Sequence, residues 1–170
     1  MSMKHIGMKD SKSILTNIQE GDQQSNAVDL RLGKVFEIES NTFVIDEDKK
    51  EHRGSTEIEP DENGYYHLAP GSYEVIMENK ITVAEGEAGY VITRSTLNRN
   101  GLFITSGLYD SGYGDPEPAV MAGVLHVNVG LAKIKKGTRI AQYLSFDAQT
   151  MHKYDGDYGK SDGHDKKYIT

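Results

Sequence analysis

From Val28 to Ile38 the chain reads VDLRLGKVFEI, with apolar and polar side chains alternating. A period of two is the pattern of a strand with one buried face. Strand-like runs recur down the chain. NTFVI follows, and YYHLAPGSYEVIMENKITV reads as two strands around the Pro70-Gly71 turn pair. GYVITRST and GLFITSGLY read as two more, and AVMAGVLHVNVG is apolar enough for an inner strand. KIKKGTRIAQYLSFDA reads as a turn at Lys136-Gly137 and then a strand. Short strands, Gly turns and almost no helix predict an all-β sandwich, jelly roll or distorted barrel. At 170 residues the chain is one domain with its own core.

Three stretches depart from this pattern. Met1 to Gln24 is polar and reads as a flexible start with a turn or short helix near Ile14–Ile18. DEDKKEHRGSTEIEPDENG, residues 46–64, reads as a solvated loop or a weak hairpin. The tail after Met151, HKYDGDYGKSDGHDKKYIT, is too polar to pack a core. It is either a disordered terminus or a mobile arm, its Gly residues giving bendability and its Tyr residues a stacking face. The expected division is a flexible segment 1–24, a β domain 25–150 and a mobile arm 151–170.

Charge and composition exclude several functions. Acidic residues outnumber basic ones 26 to 19, a net charge of −7, which argues against sequence-independent nucleic-acid binding, since that needs a basic face. No apolar run is long enough to span a membrane, and no signal-peptide pattern opens the chain. A cytoplasmic protein without membrane or nucleic-acid partners is expected. With no Cys, thiolate chemistry and a His/Cys/Cys zinc site are excluded. There is no P-loop or Gly-rich nucleotide fingerprint, and no His-x-x-x-His spacing. His126, in an apolar run, reads as a core or interface histidine.

The chemistry concentrates in TRSTLNRNGLFITSGLYDSGYGD, residues 93–115. The Arg94 fork suits phosphate oxygens, and the Ser95 hydroxyl can donate to a bridging oxygen. Arg139 and Gln142 in GTRIAQ form a second such segment. Asp110 stands at a Gly turn, three residues before Tyr113. A carboxylate there can orient and deprotonate water, and the ring can pack a sugar. The Arg and Ser donors would stabilise charge developing on phosphates.

In order and rough spacing these segments resemble the dUTPase and dCTP deaminase superfamily. SNAVDLRLG (Ser25–Gly33) is similar to its first motif, TRSTLNRNGL to the second, SGLYDSGY to the third and KGTRIAQYLSF to the fourth. The Gly-rich tail stands where the fifth belongs. The resemblance implies a distorted jelly-roll or barrel-like subunit and a homotrimer with sites where subunits meet. It implies Asp110 as the carboxylate activating water at the α-phosphate, and Tyr113 as the ring under the deoxyribose. Arg94, Ser95 and Gln142 would contact the triphosphate, and the backbone of Gly107–Tyr109 would read the pyrimidine edge. Asp29 would lie near a metal-bound water or be structural, while Mg²⁺ would ride on the phosphates. In the tail, Tyr158 would stack on the base, and Lys160 or Ser161 would touch the outer phosphates. Arg139 and Arg99 are further basic candidates.

Deaminases of the superfamily carry E-x-x-N, and here Leu125 stands three residues before Asn128. A leucine cannot shuttle protons, so the resemblance points to the dUTPase branch, although Arg99 keeps the deaminase-like R-x-G-L spacing. GDPEPA after Tyr113 lengthens the exit of the third motif, and the tail lacks the usual leading Arg. The expected reaction is dUTP and water to dUMP and pyrophosphate. The alternatives are a dCTP deaminase-like enzyme, another pyrimidine triphosphate hydrolase, or a binding member of the fold without turnover.

Overall fold

The computed structural model describes residues 10–149, 151–156 and 159, together with the backbone of 4–5. Its strands are β1 (Lys4–His5), β2 (Ile14–Leu15), β3 (Val28–Ile38), β4 (Val44–Ile45), β5 (Lys50–Glu51), β6 (Ser55–Ile58) and β7 (Tyr65–Leu68). They continue as β8 (Gly71–Thr82), β9 (Glu87–Thr93), β10 (Leu102–Thr105), β11 (Ala119–Val127), β12 (Ala132–Lys135) and β13 (Arg139–Asp147). One short helix, α1 (Ser95–Arg99), follows β9. Among the described residues no helix is long and apolar enough to cross a membrane.

The main sheet runs β1-β13-β3-β8-β11-β10, with β9 on the other side of β13. It curls back on itself. Tyr109, beyond β10, exchanges both backbone hydrogen bonds with Gly89 of β9 at 2.8 and 3.0 Å. Nearby, the Ile104 N–H donates to the Thr93 hydroxyl at 2.8 Å. The result is a nearly closed, all-antiparallel barrel, as the alternation predicts.

The alternation is what fills the barrel. Leu30, Leu32, Val35, Val75, Met121, Leu125, Ile140 and Tyr143 point inward and are fully buried. Each such apolar side chain contributes about 1.5–3 kcal/mol by leaving water. Bulges bend the long strands between Leu32 and Lys34 and between Arg139 and Ala141. Gly33 sits in the first bulge because a Cβ there would lie 2.8 Å from the Ile76 carbonyl oxygen.

Two expectations need correction. Residues 10–24 are not a loose lead-in. β2 pairs with β8, the Ser11 and Ser13 hydroxyls both donate to the Glu87 carboxylate at 2.6 Å, and Asp22 is fully buried. The polar residues of this segment are spent on tertiary hydrogen bonds, which composition does not reveal. Of residues 46–64, the first part is the turn and second strand of the two-residue hairpin β4–β5, but β6 is a sheet strand paired with β3. Tyr65 to Thr82 does hold two strands, yet β7 pairs with β12 and β8 with β3 and β11, so Pro70-Gly71 turns no hairpin.

Candidate active site

Strand β13 brings three separated motifs side by side. On one edge Gln142 stands opposite Asp29 of β3, and on the other Ala141 stands opposite Thr93 of β9. The Arg94 N–H donates to the Ile140 carbonyl, which places the start of α1 beside the same strand.

Asp29 is the centre of this cluster and is 0% exposed. Its Oδ1 accepts from Gln142 Nε2 at 3.0 Å and pairs with Arg94 Nε at 3.3 Å. Its Oδ2 accepts from Gln24 Nε2 at 3.1 Å and from an Arg139 terminal nitrogen at 3.3 Å. A buried carboxylate persists only when so paired. Both Asp29 oxygens are engaged by protein side chains. Asp29 orients the Arg94 guanidinium by Nε. Both terminal nitrogens of Arg94 then stay free of protein partners among the described residues, on a side chain 27% exposed. The Arg139 nitrogen on Asp29 also donates to the Gly21 carbonyl at 2.8 Å.

A second buried pair braces the loop that carries Gln24. Asp22 accepts twice from Arg31, at 2.6 and 3.0 Å. Burial pushes the Asp22 carboxyl up. The Arg31 hydrogen bonds, the Gln19 N–H and the nearby charges of Arg31 and Arg139 outweigh it, leaving the pKa below its ordinary value.

Ser95 opens α1 and is exposed. Arg99 is exposed in its last turn, and no hydrogen bond or ion pair among the described residues joins it to the Asp29 cluster.

Asp110 is elsewhere. It lies beyond the Gly89–Tyr109 bridge, in a cleft of about 440 Å³ shared with Glu87, Ala88, Leu108, His152 and Tyr154. This is the Glu87 end of β9, whereas Arg94 follows the Thr93 end. At about 3.3 Å per residue the strand puts them about 20 Å apart. One chain does not bring the carboxylate to the guanidinium groups. The Asp110 carboxylate is exposed, and no hydrogen bond or ion pair engages it among the described residues.

The neighbours of Asp110 depart from expectation. Tyr109 spends both backbone groups on Gly89 and its hydroxyl on the Ala122 carbonyl at 3.3 Å. It has no backbone edge left for a base, whereas Gly107 and Leu108 are exposed. Tyr113, expected as a sugar platform, is 8% exposed and donates to the Val120 carbonyl at 2.6 Å. Tyr109 and Tyr154 meet its ring edge-on at 5.4 and 5.1 Å. Burial, with a smaller contribution from Tyr154, pushes its phenol up to about 12, so the hydroxyl keeps its proton at neutral pH. Tyr113 thus braces the turn that carries Asp110. Gly114, which opens the GDPEPA stretch, has φ +79° and no room for a Cβ beneath the Ile81 carbonyl.

Gln24, Gly21, His152 and Tyr154 were not legible as site residues, because isolated polar residues in loops carry no periodicity or spacing. Tyr158, Lys160 and Ser161 lie outside the described residues.

An antiparallel barrel with a buried carboxylate holding two guanidinium groups at one end of a strand, and a free carboxylate at the other, defines the class. The dCTP deaminase-like family model matches residues 5–147, and the chain belongs to that family. Within it, the chain is 29% identical over 152 residues to the probable deoxyuridine 5'-triphosphate nucleotidohydrolase of Methanopyrus kandleri, spanning 88% of this chain and 95% of the relative. It is 34% identical over 116 residues to the deoxyuridine 5'-triphosphate nucleotidohydrolase of Methanocaldococcus jannaschii, spanning 66% and 74%. The fold is similar to that of a Staphylococcus bacteriophage 80alpha dUTPase variant solved with dUpNHpp, with a TM-score of 0.51 and 12% identity over 85% of this chain and 96% of that one.

Proposed function

We propose that the protein hydrolyses dUTP to dUMP and pyrophosphate by attack of water at the α-phosphate. The observation that carries this reading is the free Asp110 carboxylate in its cleft, in a chain whose relatives are named deoxyuridine triphosphate nucleotidohydrolases. Asp110 takes a proton from the attacking water. The terminal nitrogens of Arg94, the outer edge of Arg139 and the Ser95 hydroxyl hold the phosphates and stabilise charge growing on them. Gln142, tied to Asp29, keeps the guanidinium groups in register. The exposed backbone of Gly107 and Leu108 pairs with the uracil edge. A base that leaves those groups unpaired is rejected.

The separation of about 20 Å along β9 demands more than one chain, since a general base works within about 3 Å of its proton. In this reading the protein is a homotrimer. Each site takes Asp110 from one subunit and the Asp29-held arginines from another.

Among the described residues no group of three or more His, Asp or Glu could hold a metal ion. In this reading Mg²⁺ would enter with the substrate, on phosphate oxygens and water, as suits a hard cation that dehydrates reluctantly. Bound in that way, Mg²⁺ neutralises phosphate charge.

The family match favours one second reading, deamination of dCTP. Against it, Leu125 is 0% exposed and packs in the apolar core, so the expected acid is replaced by a core residue. A screen of the deoxynucleoside triphosphates, with and without Mg²⁺, separates the two. Pyrophosphate release from dUTP supports hydrolysis, whereas ammonia release from dCTP replaces it. Binding without either product removes both.

A further inference from the structure

A cavity of about 640 Å³ lies between α1 and β12. None of the side chains assigned to dUTP lines it. Its floor is an edge of the main core, where Leu97, Val129 and Ile134 are partly buried and Leu102 and Ile140 are buried. Leu131 also lines it and is 56% exposed. Cavities of this size and make-up hold an apolar body and fix it with a few polar groups. The charge here is of one sign. Lys133 and Lys135 line the cavity, and among the described residues no Asp or Glu does. Their ammonium groups lie 5.5 and 5.7 Å from the centroid of the Tyr65 ring, which also lines it. Neither lysine forms an ion pair among the described residues. In a chain of net charge −7, two such cations above an apolar floor favour an anion with an apolar body.

One wall belongs to α1, through Thr96, Leu97 and the C-terminal cap Asn100. The helix has five residues, no side chain caps its start, and none of its residues is buried. A helix so short is marginal in water and depends on packing for its place. It begins at Ser95, next to Arg94, whose N–H donates at 3.1 Å to the carbonyl of Ile140, itself a cavity residue. We propose that this cavity is a second ligand site, distinct from the nucleotide site, that takes a small anion with an apolar body, and that the occupant braces α1 and with it Arg94 and Ser95. The lysines take the anionic group and the floor takes the apolar body. Binding itself does not depend on the substrate. Its effect on the nucleotide rests on the reading above of Arg94 and Ser95 as phosphate ligands.

The probe is anilinonaphthalene sulfonate, an aromatic body with one anionic group, added to the full-length protein. Fluorescence titration should show a single saturable site per chain, and a non-hydrolysable dUTP analogue should not displace the probe. The double variant Lys133→Ala/Lys135→Ala should weaken binding by about tenfold, and Leu131→Asp, which sets a like charge beside the anion, should weaken it too. Neither variant should change kcat or KM for dUTP without the probe. At a concentration that fills only the wild-type cavity, the probe should lower the wild-type KM by about fivefold, because the nucleotide then meets an ordered helix. The KM of the double variant should not move. Displacement by the analogue, equal binding by the double variant, or no saturable binding would overturn the site. Binding with an unchanged or raised KM would overturn its action on α1. A change of oligomeric state in Leu131→Asp would make the cavity a subunit contact and overturn the site as well. Saturable, lysine-dependent binding in a protein that hydrolyses no dUTP would sink the proposed reaction and leave the ligand site standing.

Discussion

Asp29 and Asp110 are the same chemical group in opposite surroundings. Asp29 is buried on a central strand, and two arginines and two glutamines satisfy its oxygens. Asp110 is exposed on a turn, and its carboxylate has no polar partner among the described residues. The contrast separates a carboxylate that organises other side chains from one that is available to react. A base must be free to take a proton, whereas an organiser must never be without its cations.

Substitutions at the two sites should therefore fail in different ways. The largest effect is expected from Asp110→Asn, which should lower turnover by about 10²–10⁴-fold. Affinity for a non-hydrolysable dUTP analogue and the urea midpoint should hardly move. A variant that turns over near the wild-type rate would remove Asp110 from the base role and break the contrast.

Asp29→Ala should do the reverse and cost about 3–5 kcal/mol of stability in urea unfolding, because it leaves two arginines beside an unfilled buried site. Nucleotide binding should weaken with it. If stability is unchanged and only turnover falls, Asp29 is a catalytic group rather than an organiser.

Arg94→Lys should raise KM by about tenfold while leaving folding intact, since an ammonium cannot pair with Asp29 and also present a planar fork to phosphate. An unchanged KM would place the triphosphate elsewhere.

The smallest effect concerns acid. Glu87 is buried beside the Asp110 cleft. Burial raises its carboxyl, but the Ser11 and Ser13 hydroxyls and the Lys12 and Ser13 N–H groups outweigh it and hold the pKa below 4.5. A depressed carboxyl contributes stability that is fully present above pH 4.5 and lost as pH falls through the lower folded value. Glu87→Gln should thus lower the Tm at pH 7 and flatten the acid end of the Tm–pH curve, the two proteins converging as the pH falls. An identical acid slope in both proteins would show that the Glu87 clamp does not hold residues 11–13.

Much of the barrel was legible in the sequence. Val28–Ile38 is the strand β3 that its alternation predicts, and AVMAGVLHVNVG contains β11, paired on both edges. What escaped was the use of polar segments. Nothing in SKSIL announces that Ser11 and Ser13 close on a carboxylate at Glu87, and STEI is too polar to declare itself a sheet strand. The site was legible by residue type but not by arrangement. Arg94, Gln142 and Arg139 do converge, on Asp29, while Tyr113 turned inward to brace a turn.

The linear order of residues determined which stretches are strands and which side chains face the core, because a period of two acts on near neighbours. Only the tertiary structure decided that Asp29 belongs to the arginines and that Asp110 lies toward the opposite end of β9 from them. That outcome depends on which strands flank β13, a matter of long-range pairing that no local pattern encodes.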